Sequence, residues 1–354
     1  MNRKDILEKL KALNLNSFLV TKGENLKFLT NFSGMEGFAV INANGSCYLI
    51  TDSRYTFQAE MEVLETKVIE YQYKNLFDKI SEILKNTKRV GIEGSMTISF
   101  YNKLKSKLEN IEFVEYSNFF EELRMVKSQN EQDLIEASSK IACEAYLKTL
   151  ESVKVGISET ELSAILEYEM KKRGASKASF DLIVASGYRS AMPHGLASEK
   201  MIKMGDIITF DFGCFYKGYA SDCTRTVSLG RPKDNETHDI YKIVLDAQLS
   251  ALSKIKEGVI SKEIDLEARN LITKAGYGDN FGHSTGHGVG LEIHELPHIS
   301  IESETVLKEG MVITVEPGIY LNDKFGIRIE DLVIVTKNGC KNLTNLTKEN
   351  LIEL

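Results

Sequence analysis

The sequence predicts a mixed α/β (α+β) protein of two domains, and three observations lead there. Its 354 residues exceed what one core usually serves, since domains mostly run about 100–200 residues. Short apolar runs of strand character alternate along the chain with stretches of helical period. A charged, helix-forming segment, EELRMVKSQNEQD (121–133), interrupts that alternation and sets the boundary, giving domains 1–125 and 126–354.

In the first domain NSFLV, GFAVIN, CYLIT, RVGIEG and FVEY read as strands, and NLFDKISEILKN as a helix. The opening residues space Ile6, Leu7, Leu10 and Leu13 as one face of an amphipathic helix, without the apolar core and small-residue cleavage site of a signal peptide. Asp52 and Tyr55, in TDSRY, fit a strand end or an interface better than chemistry.

The second domain opens on Ser128 with Glu131 three residues later, the pattern of a capping box, ahead of the helix LIEASSKIACEAYLKTLES. ETELSAILEYEMKKRG, HDIYKIVLDAQLSALSKIKEG and SKEIDLEARNLITKAG follow as further helices between strand-like runs. The acid-bearing segments 207–228 and 312–335 have the look of related halves.

Hydrophobic residues at 42% and charged residues at 27% are ordinary for a folded chain. A net charge of -7 with no basic cluster argues against a nucleic-acid surface, which needs Lys and Arg in local excess. Five scattered cysteines with no CxxC pair fit reduced thiols and a cytoplasmic location, and speak against a thiolate metal site. No run of about 18 apolar residues occurs, so no membrane span is expected.

The unusual polar residues all fall between 194 and 330. In DIITFDFGCFYKGYASDCTRTVSLG a two-residue Lys217-Gly218 turn would set Tyr216 against Tyr219 and Asp222 against Gly213. Asp211 then becomes the diagonal neighbour of Asp222 on the same face, within about 8 Å. Among Ile207, Ile208, Phe210 and Phe212 such a carboxylate pair needs a cation; one strand-end and one turn aspartate is the plainer alternative. GHSTGHGVGLEIHE packs His283, His287 and His294 among glycines, three of only six histidines in the chain. Glu316 and Glu330 each interrupt a strong strand pattern, and Arg328 shares the parity of Glu330. An isolated strand charge guards an edge against aggregation, whereas two beside an arginine point to a site. His194, in SAMPHG, is unremarkable taken alone; His238 and His298 read as surface or structural residues.

Four carboxylates and a histidine form a hard, oxygen-rich set for two divalent ions. Two ions about 3.5–4 Å apart hold a bridging water, lower its pKa and clamp a tetrahedral intermediate, so hydrolysis of an amide or similar bond is the expected reaction. The remaining imidazoles would stabilise an oxyanion or move protons.

DFG, SDCTRT, TGHGVGLEIHE, EPGIY and GIRIED, in that order, resemble the pita-bread metallopeptidases, and most of all their Xaa-Pro group of aminopeptidase P and prolidase. TDSRY, VGIEG and ELRMVKS extend the resemblance to a creatinase-type N-terminal domain, so it covers nearly the whole chain. The resemblance implies that Asp211, Asp222, His287, Glu316 and Glu330 ligate two divalent ions, with Asp222 and Glu330 bridging. It further implies Glu316 as general base, His294 and His194 at the substrate carbonyl or gem-diolate, His283 on the proline side, and Arg328 as support near Glu330 and the substrate. Manganese is expected first among manganese, cobalt, zinc and iron, and a homodimer because a partner subunit commonly borders the site in this group. No ligand position departs from the pattern, unlike in relatives that serve as creatinases or as binding modules.

The expectation is therefore an Xaa-Pro aminopeptidase acting on proline-containing peptides, favoured by a compact chain with no recognisable carboxylate clamp. The Xaa-Pro dipeptidase, or prolidase, is the near alternative. A non-catalytic pita-bread module that binds peptides and a hydrolase of another carbon–nitrogen bond are the readings from other classes.

Overall fold

The computed structural model describes residues 3–354, which divide into two compact units, one ending at Arg124 and the other Met125–Leu354. The first is built on a six-stranded sheet. Its order is Lys67–Glu70, Cys47–Thr51, Phe38–Asn42, Ser17–Val20, Arg89–Glu93 and Glu112–Tyr116. The central Ser17–Val20 runs antiparallel to Phe38–Asn42 and parallel to Arg89–Glu93. After Ser17 it is apolar, because both faces are covered. Phe18 and Val20 join Ile6, Leu10, Leu26 and Leu29 on one side, while Leu19 joins Val40, Ile80, Leu84 and Leu104 on the other. Asp52 at the end of Cys47–Thr51 is taken up by Arg54 at 2.7 Å.

The charged segment 121–133 is not one helix. Helix Phe119–Arg124 ends there, and Gln129–Leu150 starts afresh behind Ser128 and Glu131, whose reciprocal capping bonds satisfy its first turn. Between them Val126 bridges to Met311 and Lys127 is buried against Glu295 at 3.0 Å.

The second unit has two similar halves. Helices Gln129–Leu150 and Glu159–Lys172 pack Tyr146, Leu162, Leu166 and Met170 against Phe210, Phe212, Cys223 and Val227, which belong to an antiparallel ribbon. Helices Thr237–Lys254 and Ser261–Lys274 pack Ile240, Val244, Ile264 and Ile272 against Ile313, Val315, Val333 and Val335 of a second ribbon. Each helix pair lays its apolar stripe on the apolar face of one ribbon, leaving the acid-bearing faces clear of the cores. Among the described residues no helix is long and apolar enough to cross a membrane.

Candidate metal centre

Both ribbons break their ladders where the acids sit. In the first, Lys217 and Gly218 turn with φ of 48° and 85°, as a two-residue hairpin requires, and Tyr216 pairs with Tyr219. Further along, Phe212 pairs with Cys223 and Asp211 with Thr224. The register thus carries across the gap and leaves Asp222 opposite Gly213. A Cβ on Gly213 would lie 1.9 Å from the Ser221 carbonyl oxygen, so only glycine permits this close crossing. In the second ribbon Gly318 pairs with Arg328 and Val315 with Asp331. Continuing that register puts Glu316 opposite Glu330 at the interruption.

The two breaks meet. Single ligand atoms of Asp222, His287 and Glu330 lie within 4.8 Å of one another, all three residues buried. His287, from strand Gly286–Gly288, presents Nε2 at 3.5 Å from Asp222 and 3.4 Å from Glu316. Asp211 reaches the same cleft but is tied to Arg328, Nη2 to Oδ2 at 2.7 Å. The cleft, of about 460 Å³, also takes in His194, His283, His294 and His298, with Phe180, Ile183, Pro193 and Leu196 as apolar wall.

Thr224 and Thr314 hold two of the acids, donating to Glu330 Oε2 at 2.8 Å and Glu316 Oε1 at 3.2 Å. The His287 ring places Nδ1 3.0 Å from the Gly288 carbonyl. A carbonyl only accepts, so Nδ1 carries the hydrogen and Nε2 offers its lone pair to the acids. Burial pulls the His287 pKa down to about 3, which keeps the ring neutral.

The acids are the reverse case. Burial, then the charge of Glu330, pushes Asp222 well above the carboxylate range; burial and Glu316 do the same to Glu330. Burial outweighs the opposing pull of Arg328 and raises Glu316 to about 8. Asp211 Oδ1, Asp222 Oδ1 and Glu330 Oε1 are buried without a hydrogen-bond partner. Carboxylates held together, short of partners and facing a neutral imidazole, form a donor set suited to divalent cations, which would supply the missing charge and bonds.

Arg328 lines the cleft and holds a carboxylate of the cluster, that of Asp211 rather than of Glu330. Its guanidinium reaches Asp211, the Tyr320 hydroxyl at 2.8 Å, the Pro193 carbonyl and Thr224, while Glu330 takes its support from Thr224. Three contributors went unnoticed in the sequence: Tyr320, Thr224 and Thr314. Parity marks each of them, since Thr224 follows Asp222 by two residues, Thr314 precedes Glu316 by two, and Tyr320 lies four beyond Glu316.

Comparison with known proteins settles the family. Residues 133–337 match the model of metallopeptidase family M24, and residues 3–126 that of the creatinase/prolidase N-terminal domain. The chain belongs to metallopeptidase family M24. It is therefore a hydrolase of pita-bread fold with a creatinase-type domain ahead of its catalytic domain. It is 43% identical to the Xaa-Pro dipeptidase of Pyrococcus furiosus over 98% of this chain and 100% of that one. Its structure matches an Xaa-Pro dipeptidase from Bacillus anthracis with a TM-score of 0.94, at 41% identity over the full length of both chains. An X-Pro aminopeptidase from Thermotoga maritima matches with a TM-score of 0.90, at 38% identity over 98% of this chain and 99% of that one.

Proposed function

We propose that this M24 peptidase is an Xaa-Pro dipeptidase, a prolidase, hydrolysing the bond before proline with two divalent ions held by Asp211, Asp222, His287, Glu316 and Glu330. The observation that carries the metal assignment is the buried cluster of Asp222, His287 and Glu330, whose single ligand atoms lie within 4.8 Å of one another, beside carboxylate oxygens of Asp211, Asp222 and Glu330 that lack partners. Manganese is the proposed native ion, with cobalt, zinc and iron accepted by the same donors.

The compact chain had favoured aminopeptidase. Compactness does not discriminate, because relatives named as dipeptidases align with this chain end to end. Similarity to an X-Pro aminopeptidase of nearly the same length keeps that activity as the second reading.

When bound, two divalent ions lower the pKa of a shared water and polarise the scissile carbonyl. The protein's own part starts with Glu316, assigned as general base, which would take and return a proton beside that water. His194 and His294, both exposed to the cleft, can donate to the substrate oxygen. His283 is assigned to the proline side. Its Nδ1 donates to the Ser284 carbonyl at 2.8 Å, and its Nε2 accepts from the Tyr320 hydroxyl at 2.9 Å. Burial lowers its pKa to about 4, so this wall of the cleft is neutral. Arg328 fixes both Asp211 and Tyr320 and acts through them.

Five unpaired cysteines support a cytoplasmic setting, and the resemblance to the Xaa-Pro group supports a homodimer. The test is hydrolysis of Ala-Pro, Ala-Pro-Ala and Ala-Ala by metal-stripped protein, with and without manganese. Manganese-dependent cleavage of Ala-Pro above both others is expected. Faster cleavage of Ala-Pro-Ala would favour the aminopeptidase, and equal cleavage of Ala-Ala would sink proline selectivity.

A further inference from the structure

Behind the acids, on the side away from the cleft, lies a second group of charges that the reaction does not use. Arg225 is 2% exposed and Asp331 is fully buried. They pair at 2.7 Å, Nη2 to Oδ1. Arg225 comes three residues after Asp222 on strand Cys223–Ser228, and Asp331 follows Glu330 directly at the start of Asp331–Val335. The two strands belong to different sheets.

The guanidinium is fixed at both terminal nitrogens, while its buried Nε has no partner. Nη1 donates to the carbonyl oxygens of Thr224 at 2.9 Å and of Glu330 at 2.5 Å; Nη2 donates also to the Leu346 carbonyl at 3.0 Å. On the other side, Asp331 Oδ2 accepts from Asn342 at 2.7 Å and from Lys348, which is itself held by Gln248 at 2.7 Å. Thus one arginine grips the backbone of both acid-bearing strands at the level of Thr224 and Glu330. A planar fork can do this, and a lysine could not span the same set.

Buried ion pairs are costly to desolvate and are seldom the cheapest way to hold two sheets together. A well-packed apolar contact would serve a purely structural need, but it would leave the relative slide of the strands loosely set. A site whose ligands come from two ribbons needs that slide fixed to a fraction of an ångström.

We infer that Arg225 and Asp331 are positioning residues, which hold Asp222 and Glu330 at the separation that binds metal. The inference rests on the metal assignment proposed above. Groups that orient ligands from behind typically change metal affinity by about 10–100-fold when removed.

The test measures manganese binding by equilibrium dialysis and the unfolding of the metal-free protein, for the wild type, Asp331→Asn and the double variant Arg225→Met/Asp331→Leu. The double variant removes both charges and keeps apolar bulk, so it can fold where the single change leaves an arginine unpaired. Manganese binding at least about tenfold weaker than wild type, in a variant whose metal-free form unfolds cooperatively, is the expected result. Folded variants with wild-type affinity would overturn the inference, as would failure of both variants to fold, which would make the pair purely structural. If the wild type itself bound no manganese, the metal assignment would fall and this inference with it.

Discussion

The Tyr320 hydroxyl lies 2.9 Å from His283 Nε2, and the direction of that hydrogen bond follows from its neighbours. Arg328 can only donate to Tyr320, and His283 already spends its Nδ1 hydrogen on a carbonyl, so Tyr320 donates to His283. Burial raises the Tyr320 pKa to about 12, which keeps that hydrogen in place at neutral pH. A directed chain thus runs from Asp211 through Arg328 and Tyr320 to His283 on the wall of the cleft.

Tyr320→Phe should keep metal content at the wild-type level and raise KM for Ala-Pro by about tenfold, the effect of leaving a buried partner unsatisfied by roughly 1–3 kcal/mol. Metal analysis alongside steady-state kinetics checks this. Loss of metal with an unchanged KM would place Tyr320 in the ligand network instead.

Glu330→Gln should abolish manganese binding and activity together while leaving the metal-free protein at least as stable as the wild type. The reason is the raised pKa of Glu330, driven first by burial and then by Glu316, which marks its charge as a burden without metal. Denaturant unfolding gives the comparison. At manganese 100 times its Kd the wild type should gain about 2.7 kcal/mol per independent site and the variant none. Retained metal-dependent stabilisation would rule out Glu330 as an essential ligand.

Gly213→Ala should destabilise the catalytic unit by about 1–3 kcal/mol, the usual range for forcing an extra carbon into a packed site. The added Cβ meets the Ser221 carbonyl at 1.9 Å and Ser179 Oγ at 2.4 Å, so the ribbon must shift beside Asp222. Weaker manganese binding should accompany the lower stability; wild-type values of both would show that the crossing tolerates a side chain.

Asp206 supplies a pH-dependent contribution away from the acids. Burial raises its pKa, but hydrogen bonds from Lys200 and Lys233 outweigh that and leave it below the ordinary aspartate value. With the folded pKa depressed, its stabilisation is full above about pH 4, the unfolded aspartate value, and is lost as pH falls through the folded one. The stability gap between wild type and Asp206→Asn should therefore be constant from pH 5 to 7 and shrink below 4. A gap that widened on acidification would contradict this.

The two-domain α/β character, the capping box at Ser128 and the first hairpin register were legible, because each depends on local period and turn chemistry. The acids stood out as polar residues inside apolar patterns, and His287 as one of three histidines among glycines that the family resemblance singled out. Arg225 and Asp331 carried no such mark: each lies next to a conspicuous residue, and their partnership spans 106 residues. Which carboxylate Arg328 holds was equally hidden, since parity gives the face of a strand and says nothing of contacts across to another ribbon. The break of the helical segment at 125–128 follows from tertiary contacts of Val126 and Lys127 that the charge pattern does not contain.

The proposed hydrolysis requires that Asp211, Asp222, His287, Glu316 and Glu330 hold two divalent ions. Titrating metal-stripped protein with manganese while following Ala-Pro hydrolysis tests it most directly. Activity should rise from zero and saturate as two ions bind per chain; activity in the stripped protein, or two bound ions with no cleavage of any Xaa-Pro substrate, would contradict it.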